Sequence, residues 1–94
     1  MNSTARMRKS LRARAHHLNP IVRVGQSGLS HGVFQEVKRA LHDHELIKVK
    51  LTLEDRRQRR LAITTLCEES GAECIQSIGN VAVLYRPRSA ESVD

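Results

Sequence analysis

The sequence has little of several residue types, and each shortage excludes a class of protein. Its 94 residues include no tryptophan, one tyrosine and one phenylalanine, so a base-stacking platform of the RNA-recognition-motif type is not expected. The only two cysteines, Cys67 and Cys74, have no CxxC spacing, which argues against a zinc site or a disulfide framework and favours a reducing setting. No apolar run approaches the roughly 20 residues needed to cross a bilayer. We therefore expect one small cytoplasmic domain with no membrane partner.

Arrangements that would support catalysis are also missing. Among the five histidines, His16 and His17 are adjacent and would point about 100° apart on a helix, and no cysteine lies near enough in sequence to complete a zinc pattern. No serine, cysteine or carboxylate pair stands in a recognisable nucleophile motif. The sequence therefore predicts no enzyme, no metal, no cofactor and no small-molecule substrate. An enzyme would require a cluster of titrating histidines near a binding loop.

The sequence is rich in positive charge, which is concentrated in its first two thirds. Residues 1–35 carry six Lys and Arg and no carboxylate, residues 36–60 carry eight against five, and residues 61–94 carry two against five. Such an asymmetry favours a polyanion-binding side, although a basic face that only keeps the protein soluble is the alternative. An Arg-rich, acid-free amino end also fits a transit peptide, but here the pattern continues without a linker into a strand-like segment.

The spacing of apolar residues predicts seven elements in the order helix, strand, helix, strand, helix, strand, strand. The first helix, 4–18, would bury one stripe and end at Asn19-Pro20. Its stripe comprises Met7, Leu11, Ala15 and Leu18. The other elements are a strand at 21–24, a helix capped by Ser30, a strand at 47–53, a helix between Asp55 and Gly71, and strands at 72–78 and 81–86.

This order of elements predicts an α+β domain of the two-layer type. Alternating strands and helices favour helices packed on a mixed sheet of four strands, and Gly79-Asn80 is a two-residue hairpin signal that would close the sheet with an antiparallel pair. The single domain would span residues 1–88. A flexible tail, 89–94, would follow it.

A turn with a glycine at each end joins the first strand to the second helix. In Gly25-Gln26-Ser27-Gly28 neither glycine has a side chain that would hold a phosphate away, and the amides at the following helix start attract anions. Many such turns merely reverse the chain, so the motif alone is weak. Here Arg23 precedes it and a basic helix lies upstream, which favours contact with RNA phosphates.

Further cations are candidates for phosphate contact. Positive charge in the first turns of a helix opposes the macrodipole by roughly 0.3–1 kcal/mol per residue, so local stability alone would not select the arginines after Asp55. A solvated helix start is the alternative, because Glu54 and Asp55 offset part of this cost. A phosphate-contacting patch is the preferred interpretation. The candidates are Arg8, Lys9 and Arg12 on the first helix, Lys48 and Lys50 on the outer face of the second strand, and Arg56, Arg57, Arg59 and Arg60 at the start of the third helix.

Several segments together resemble the YhbY-like, or CRM, RNA-binding domain. The resemblance spans roughly residues 7–88. The His-Glu-Leu-Ile-Lys-Val-Lys run and the Leu-Tyr-Arg-Pro ending are specific in combination, whereas GxxG by itself is not. The matching segments are, in order, Leu11-Arg12-Ala13, Ala15-His16-His17-Leu18, Pro20-Ile21-Val22, Val24-Gly25-Gln26-Ser27-Gly28-Leu29, His44-Glu45-Leu46-Ile47-Lys48-Val49-Lys50, Gly71-Ala72-Glu73, Ile78-Gly79 and Leu84-Tyr85-Arg86-Pro87.

The resemblance implies a fold similar to the carboxy-terminal domain of bacterial translation initiation factor three, with RNA contact through Gly25–Gly28. Stand-alone bacterial members are associated with precursors of the large ribosomal subunit, and plant organelle members with intron splicing. A single 94-residue domain resembles the bacterial kind. The expectation is therefore a monomer that contacts ribosomal RNA in pre-50S particles and assists 50S assembly. Gln26 and Ser27 are neutral where some members have a lysine, which implies weaker electrostatics in the loop itself.

Two other functions fit the same charge pattern. A protein-interaction adaptor could dock its basic side on an acidic ribosomal protein or translation factor, and its ribosomal association would then survive nuclease treatment. Non-specific DNA binding would give no preference for RNA over DNA of equal length.

Overall fold

The computed structural model describes residues 3–88, which form three helices and a four-stranded sheet. The predicted α+β fold class and the order of elements are confirmed. The predicted tail at 89–94 lies outside the described residues. The elements are α1 (Ala5–Ala15), β1 (Pro20–Val24), α2 (His31–His44), β2 (Leu46–Leu51), α3 (Arg56–Ser70), β3 (Glu73–Ile78) and β4 (Val81–Tyr85).

The sheet is mixed, with the strand order β1-β2-β4-β3. β1 and β2 are parallel, and both β2 and β3 pair antiparallel with β4. Parallel neighbours need a crossover connection, which α2 supplies. The carboxyl ends of β1 and β2 therefore lie at the same end of the sheet as the β3–β4 turn, because Lys50 is paired with Val81. We call this the loop end; it comprises residues 25–28, 52–55 and 79–80.

The hairpin at Gly79-Asn80 has the predicted two-residue loop. Ile78 pairs directly with Val81, and Gly79 has a φ of +59° while the φ of Asn80 is not positive. A positive φ at the first central position only is typical of a type II′ turn, whose twist matches that of the flanking strands. The Asn80 carbonyl also accepts from the Leu51 amide at 2.7 Å, so the turn is fastened to the end of β2.

The main core lies between the sheet and the pair α2 and α3. Alternate residues of each strand point into it, and each fully buried Leu, Ile or Val stabilises the fold by at most about 1.5–3 kcal/mol. Val33 and Phe34 of α2, and Leu29 just before it, pack against the edge of the core. The largest fully buried side chains are Val24, Val37, Leu41, Ile47, Val49, Leu51, Leu66 and Leu84.

The opposite face of the sheet is only half covered, by α1. Leu11 and Ala15 of α1 pack with Leu46, Ile75 and Val83 in a second, smaller core. This helix adds a partial third layer to the sheet and its α2–α3 layer. β2 begins at Leu46, one residue earlier than predicted, and Leu46 is buried on the face of Lys48 and Lys50. The face predicted to be wet and basic is therefore dry only at its Leu46 end, under α1, whereas Lys48 and Lys50 are partly exposed.

The first helix is shorter than its apolar spacing predicted. α1 ends at Ala15, and the Leu18 amide donates to the Ala15 carbonyl at 2.9 Å, so the chain leaves through a tighter turn before Asn19-Pro20. Met7 and Leu18 are 42% and 37% exposed, contrary to the predicted stripe. The reason is that α1 crosses only one end of the sheet, so only Leu11 and Ala15 in its second half face apolar strand residues.

Two arginines after β4 hold the carboxyl ends of the other helices. Arg86 Nη1 donates to the Ser70 carbonyl at 2.7 Å, and the Arg88 guanidinium donates to the His42 and Asp43 carbonyls at 3.1–3.3 Å. The last carbonyls of a helix have no partner within the helix, and cations complement the negative end of its dipole. These contacts hold the carboxyl ends of α2 and α3 at the end of the sheet opposite the loop end. The amino ends of both helices lie at the loop end.

The two cysteine thiols lie half-buried at the margin of the main core. The pKa of Cys67 is raised from 9.0 to about 11, mainly by burial and to a smaller extent by the neighbouring Cys74 and Glu73. The pKa of Cys74 is raised mainly by burial as well. Because the thiolate is the reactive form, both side chains are expected to behave as small apolar groups of the core.

We therefore predict slow alkylation of both cysteines in the folded protein. At pH 8 iodoacetamide should modify them at least tenfold more slowly in buffer than in guanidinium chloride, since an upward pKa shift of two units lowers the thiolate fraction of Cys67 up to about a hundredfold. The shift favours the folded state below pH 9, and this contribution is lost as the pH rises from 9 towards 11. Mass spectrometry of timed samples measures the rates, and equal rates in both solvents would contradict the burial.

Candidate nucleic-acid interface

The GxxG turn projects from the loop end with open space around both glycines. The Gly28 amide donates to the Gly25 carbonyl at 2.9 Å, which closes a four-residue turn, and Gly28 has a φ of +77°. A Cβ atom placed on either glycine would meet no atom within 4 Å. A phosphate backbone could therefore approach the main chain closely, as the sequence predicted.

The side chain of Gln26 is used to fasten this turn to the neighbouring connection. Gln26 Nε2 donates to the Thr52 carbonyl at 2.9 Å. Thr52 in turn donates from its amide and from Oγ1 to the Val24 carbonyl, at 2.9 Å and 3.0 Å. Gln26 is therefore a bracing residue, and Ser27 is the central residue whose exposed side chain faces solvent. No local pattern pointed to Thr52, because its partners are 26 and 28 residues away in the chain.

The two helices that follow the loop end begin with capped amino termini. Ser30 Oγ accepts from the Val33 amide at 3.2 Å, and Asp55 Oδ1 accepts from the Arg57 amide at 2.7 Å. The predicted cap Ser30 is confirmed, and Asp55 caps the helix that was predicted to follow it. The helix starts place two sets of backbone amides, and hence two positive dipole ends, beside the glycine turn.

Four arginines at the start of α3 divide into two roles. Arg59 Nη1 donates to the carbonyls of Leu53 and Glu54, the latter at 2.9 Å, so this guanidinium holds the β2–α3 connection. Arg56, Arg57 and Arg60 are exposed. Arg56 and Arg60 border a cleft of about 520 Å³ between α3 and the β3–β4 turn. The structure thus brings three of the four predicted side chains to a solvent-facing position beside the loop end.

A second group of cations lies on the face of the sheet that α1 leaves open. Arg23 is paired with Lys50 in the sheet, and both point away from the main core because Val22, Val24 and Val49 point into it. Lys48 lies two residues further from the loop end and lines a recess together with Arg12 of α1. We call this recess the sheet groove. It is lined by Arg12, His16, Lys48, Gln76, Ile78, Val81 and Val83.

Arg8 and Lys9 are the remaining predicted cations on α1. Arg8 lies 3.5 Å from Glu73 in an ion pair, and Glu73 Oε1 also accepts from the amide and hydroxyl of Ser3 at 3.0 Å and 2.8 Å. An exposed pair of this kind is worth about 0–1 kcal/mol, so its main effect is to reduce the local positive charge. Lys9 is exposed and lies three residues before Arg12, on the same side of the helix.

The cations therefore form two groups that meet at the loop end. The α3 arginines belong to the layer of α2 and α3, whereas Arg12, Arg23, Lys48 and Lys50 lie on the α1 face. The glycine turn lies where the two faces join. A polyanion could contact backbone amides at the turn and side-chain cations on either side of it.

The five histidines are all exposed and are distributed over four places on the surface. The rings of His16 and His17 lie edge to face, 5.5 Å apart, and His31 Nε2 lies 3.4 Å from Gln35 Nε2. Within residues 3–88 there is no group of three His, Cys, Asp or Glu that could hold a metal ion. No helix in this part of the chain is both long and apolar enough to cross a membrane.

Comparison with known proteins gives consistent matches over almost the whole chain. The CRS1/YhbY (CRM) domain model matches residues 4–86. A Pseudomonas aeruginosa protein named as a probable RNA-binding protein is 45% identical over 86 residues, which cover 92% of this chain and 83% of the relative. A Haemophilus influenzae RNA-binding protein is 44% identical over 84 residues, covering 89% and 85%. The solution structure of a Staphylococcus aureus protein proposed to bind RNA superimposes with a TM-score of 0.81 at 29% identity, covering 92% and 90%.

The two glycines of the turn should respond differently to alanine. Gly28→Ala forces a side chain into a left-handed conformation and should lower the free energy of unfolding by about 1–2 kcal/mol. Gly25→Ala, which has open space and no positive φ, should leave it unchanged or raise it by up to about 1 kcal/mol. Urea titration followed by circular dichroism measures both values. Equal destabilisation by the two substitutions would contradict this description of the turn.

Proposed function

The chain belongs to the CRS1/YhbY (CRM) domain family, and we propose that it is a non-catalytic RNA-binding protein that contacts ribosomal RNA in the cytoplasm and assists assembly of the large ribosomal subunit. The glycine turn and the cations on both sides of it form the contact surface. RNA phosphates bind there, and the protein stabilises one conformation of the RNA. This role requires no reacting group.

The observation that carries the proposal is the convergence of three features at the loop end. An uncovered glycine turn, two helix amino termini and exposed cations from both faces all lie within one end of a small domain. Each feature alone occurs in proteins that bind no nucleic acid, but all three favour a chain of phosphates. The names of the P. aeruginosa and H. influenzae relatives, which describe RNA-binding proteins, support RNA as the polyanion.

The ribosomal part of the proposal rests on the stand-alone bacterial members that this single domain resembles. The chemistry of the surface agrees with such a target. Backbone amides and Lys or Arg side chains read the position of phosphates more than the identity of bases, and folded ribosomal RNA presents phosphates in fixed arrangements. In this proposal the protein acts as a monomer on pre-50S particles.

A negative charge in the glycine turn should weaken RNA binding. Ser27→Asp places a carboxylate among the proposed phosphate contacts, and at about 4 Å the repulsion is on the order of 1 kcal/mol even in bulk water. We therefore expect RNA affinity to fall at least about fivefold. Ser27→Asn matches the size of aspartate without its charge and should cost less than about threefold. Fluorescence anisotropy with a structured ribosomal RNA fragment at fixed salt measures both values.

Thermal unfolding of both variants provides the folding control. Ser27 is exposed and its side chain makes no contact that the core requires, so the melting temperatures should match that of the wild-type protein. If Ser27→Asp folds normally and binds RNA with wild-type affinity, the glycine turn is not part of the contact surface.

The cellular target follows from crosslinking. Ultraviolet crosslinking in growing cells, followed by sequencing of the bound fragments, should give a dominant peak in precursors of large-subunit ribosomal RNA. The peak should be strongly reduced in the Ser27→Asp strain and retained in the Ser27→Asn strain. Diffuse crosslinks, with a ribosomal association that survives nuclease treatment, would contradict the proposal and favour a protein partner.

A further inference from the structure

The sheet groove is a recess bounded on one side by α1 and His16, with residues of β2, β3 and β4 as its floor. α1 covers the end of the sheet at Leu46 and stops short of the loop end, so the helix, roughly 10 Å in diameter, stands beside uncovered strands. Two rows of paired residues form the floor. Lys48, Val83 and Gln76 make one row, and Lys50, Val81 and Ile78 make the next. The recess has a volume of about 360 Å³, within the usual range for small-ligand sites.

The outer part of the floor, formed by Ile78 and Val81, is apolar although it faces solvent, whereas Val83 is buried under α1. Ile78 is 65% exposed, the highest value among the exposed large hydrophobic side chains of the described residues, and Val81 beside it is half-buried. A single exposed isoleucine needs no explanation. Here, however, the exposed side chains line a recess whose rim is cationic. This combination suits a ligand that has a flat apolar part and an anionic part.

The rim of the groove carries positive charge from two elements. Arg12 of α1 and Lys48 of β2 both line it, and Lys50 and Arg23 continue the positive charge towards the loop end. No carboxylate lines the recess. Glu73, which lies further along the same face, is already bonded to Ser3 and paired with Arg8. The electrostatic complement of this rim is a phosphate.

His16 contributes an aromatic ring to the same recess. Histidine is one of the side chains on which unpaired RNA bases stack. His16 is exposed, and it sits immediately after α1, where its backbone amide donates to the Arg12 carbonyl at 3.1 Å. The ring is thus placed at the wall of the recess by the end of the helix.

We infer that the sheet groove binds an unpaired nucleotide of a single-stranded RNA segment, with the base between His16 and the Ile78–Val81 floor and its phosphates at Arg12 and Lys48. The inference rests on the proposed RNA-binding function and adds the class of RNA that this face recognises. A paired base is already stacked within a duplex and cannot enter a recess beside a helix wall. The loop end therefore recognises the positions of phosphates, whereas the sheet groove recognises an unpaired base.

The test uses two fluorescein-labelled RNAs of equal length, a mixed-sequence single strand and a fully paired duplex. His16→Ala should reduce affinity for the single strand about 5- to 150-fold, the usual loss when a stacking side chain is removed, and change duplex affinity less than about twofold. His16→Phe should keep single-strand affinity within about threefold. His44→Ala is the matched control, because His44 is also an exposed histidine but lines other clefts than the sheet groove, and it should behave as the wild-type protein does.

A second readout reports the base itself. A 2-aminopurine placed at successive positions of the single strand should change in fluorescence at one position when the wild-type protein binds, and this change should be absent with His16→Ala. Lys48→Gln should lower the slope of log affinity against log salt for the single strand by about 0.7, the value for one phosphate contact. Melting temperatures confirm that each variant is folded.

The outcomes separate this inference from the proposed function. Equal losses for His16→Ala and His44→Ala, or equal losses on single strand and duplex, would overturn the groove while leaving RNA binding intact. A wild-type protein that binds neither RNA would overturn both. A free nucleoside monophosphate that competes as well as the oligonucleotide would also overturn the inference, since the site would then hold a small metabolite.

Discussion

The parallel pairing of β1 and β2 is the constraint on which the arrangement of this protein depends. Parallel strands finish at the same end of a sheet, so the glycine turn after β1 and the arginine-rich connection after β2 become neighbours although they are separated by about 25 residues in the chain. The antiparallel strand β4 then brings the β3–β4 turn to the same end. Hydrogen bonds from Gln26, Thr52 and Arg59 fasten these connections to one another. A surface assembled in this way is held by the sheet itself.

Much of the fold could be predicted because the apolar spacing was clear. Period-two alternation in β2, the caps Ser30 and Asp55, and Gly79 in the hairpin are local signals, and each corresponds to the observed element. The extent of α1 was not predictable in the same way. Met7 and Leu18 have the right spacing for burial, but whether a residue is buried depends on how far the sheet extends beneath the helix, and no local pattern records that.

The candidate site was predictable in position but less so in the role of each side chain. Composition and spacing indicated which segments are basic. They could not indicate that Gln26 and Arg59 bond to distant or neighbouring carbonyls, because such bonds depend on tertiary placement. They also left His16 unassigned, since its surroundings are the sheet residues Lys48 and Ile78. In physical terms, the sequence determines where charge is abundant, and the fold determines which charges remain available to a partner.

The order of strands has a consequence for synthesis of the chain. β4 is the last strand along residues 3–88, yet it lies inside the sheet, between β2 and β3. Until Tyr85 has left the ribosome, β2 and β3 lack their shared partner, and the arginines that close the helix ends are missing as well. Most of the pairing in this domain is therefore non-local and must wait for the end of translation of this segment. A nascent or truncated chain that stops before Val81 would expose two unpaired strand edges, which are sites of aggregation.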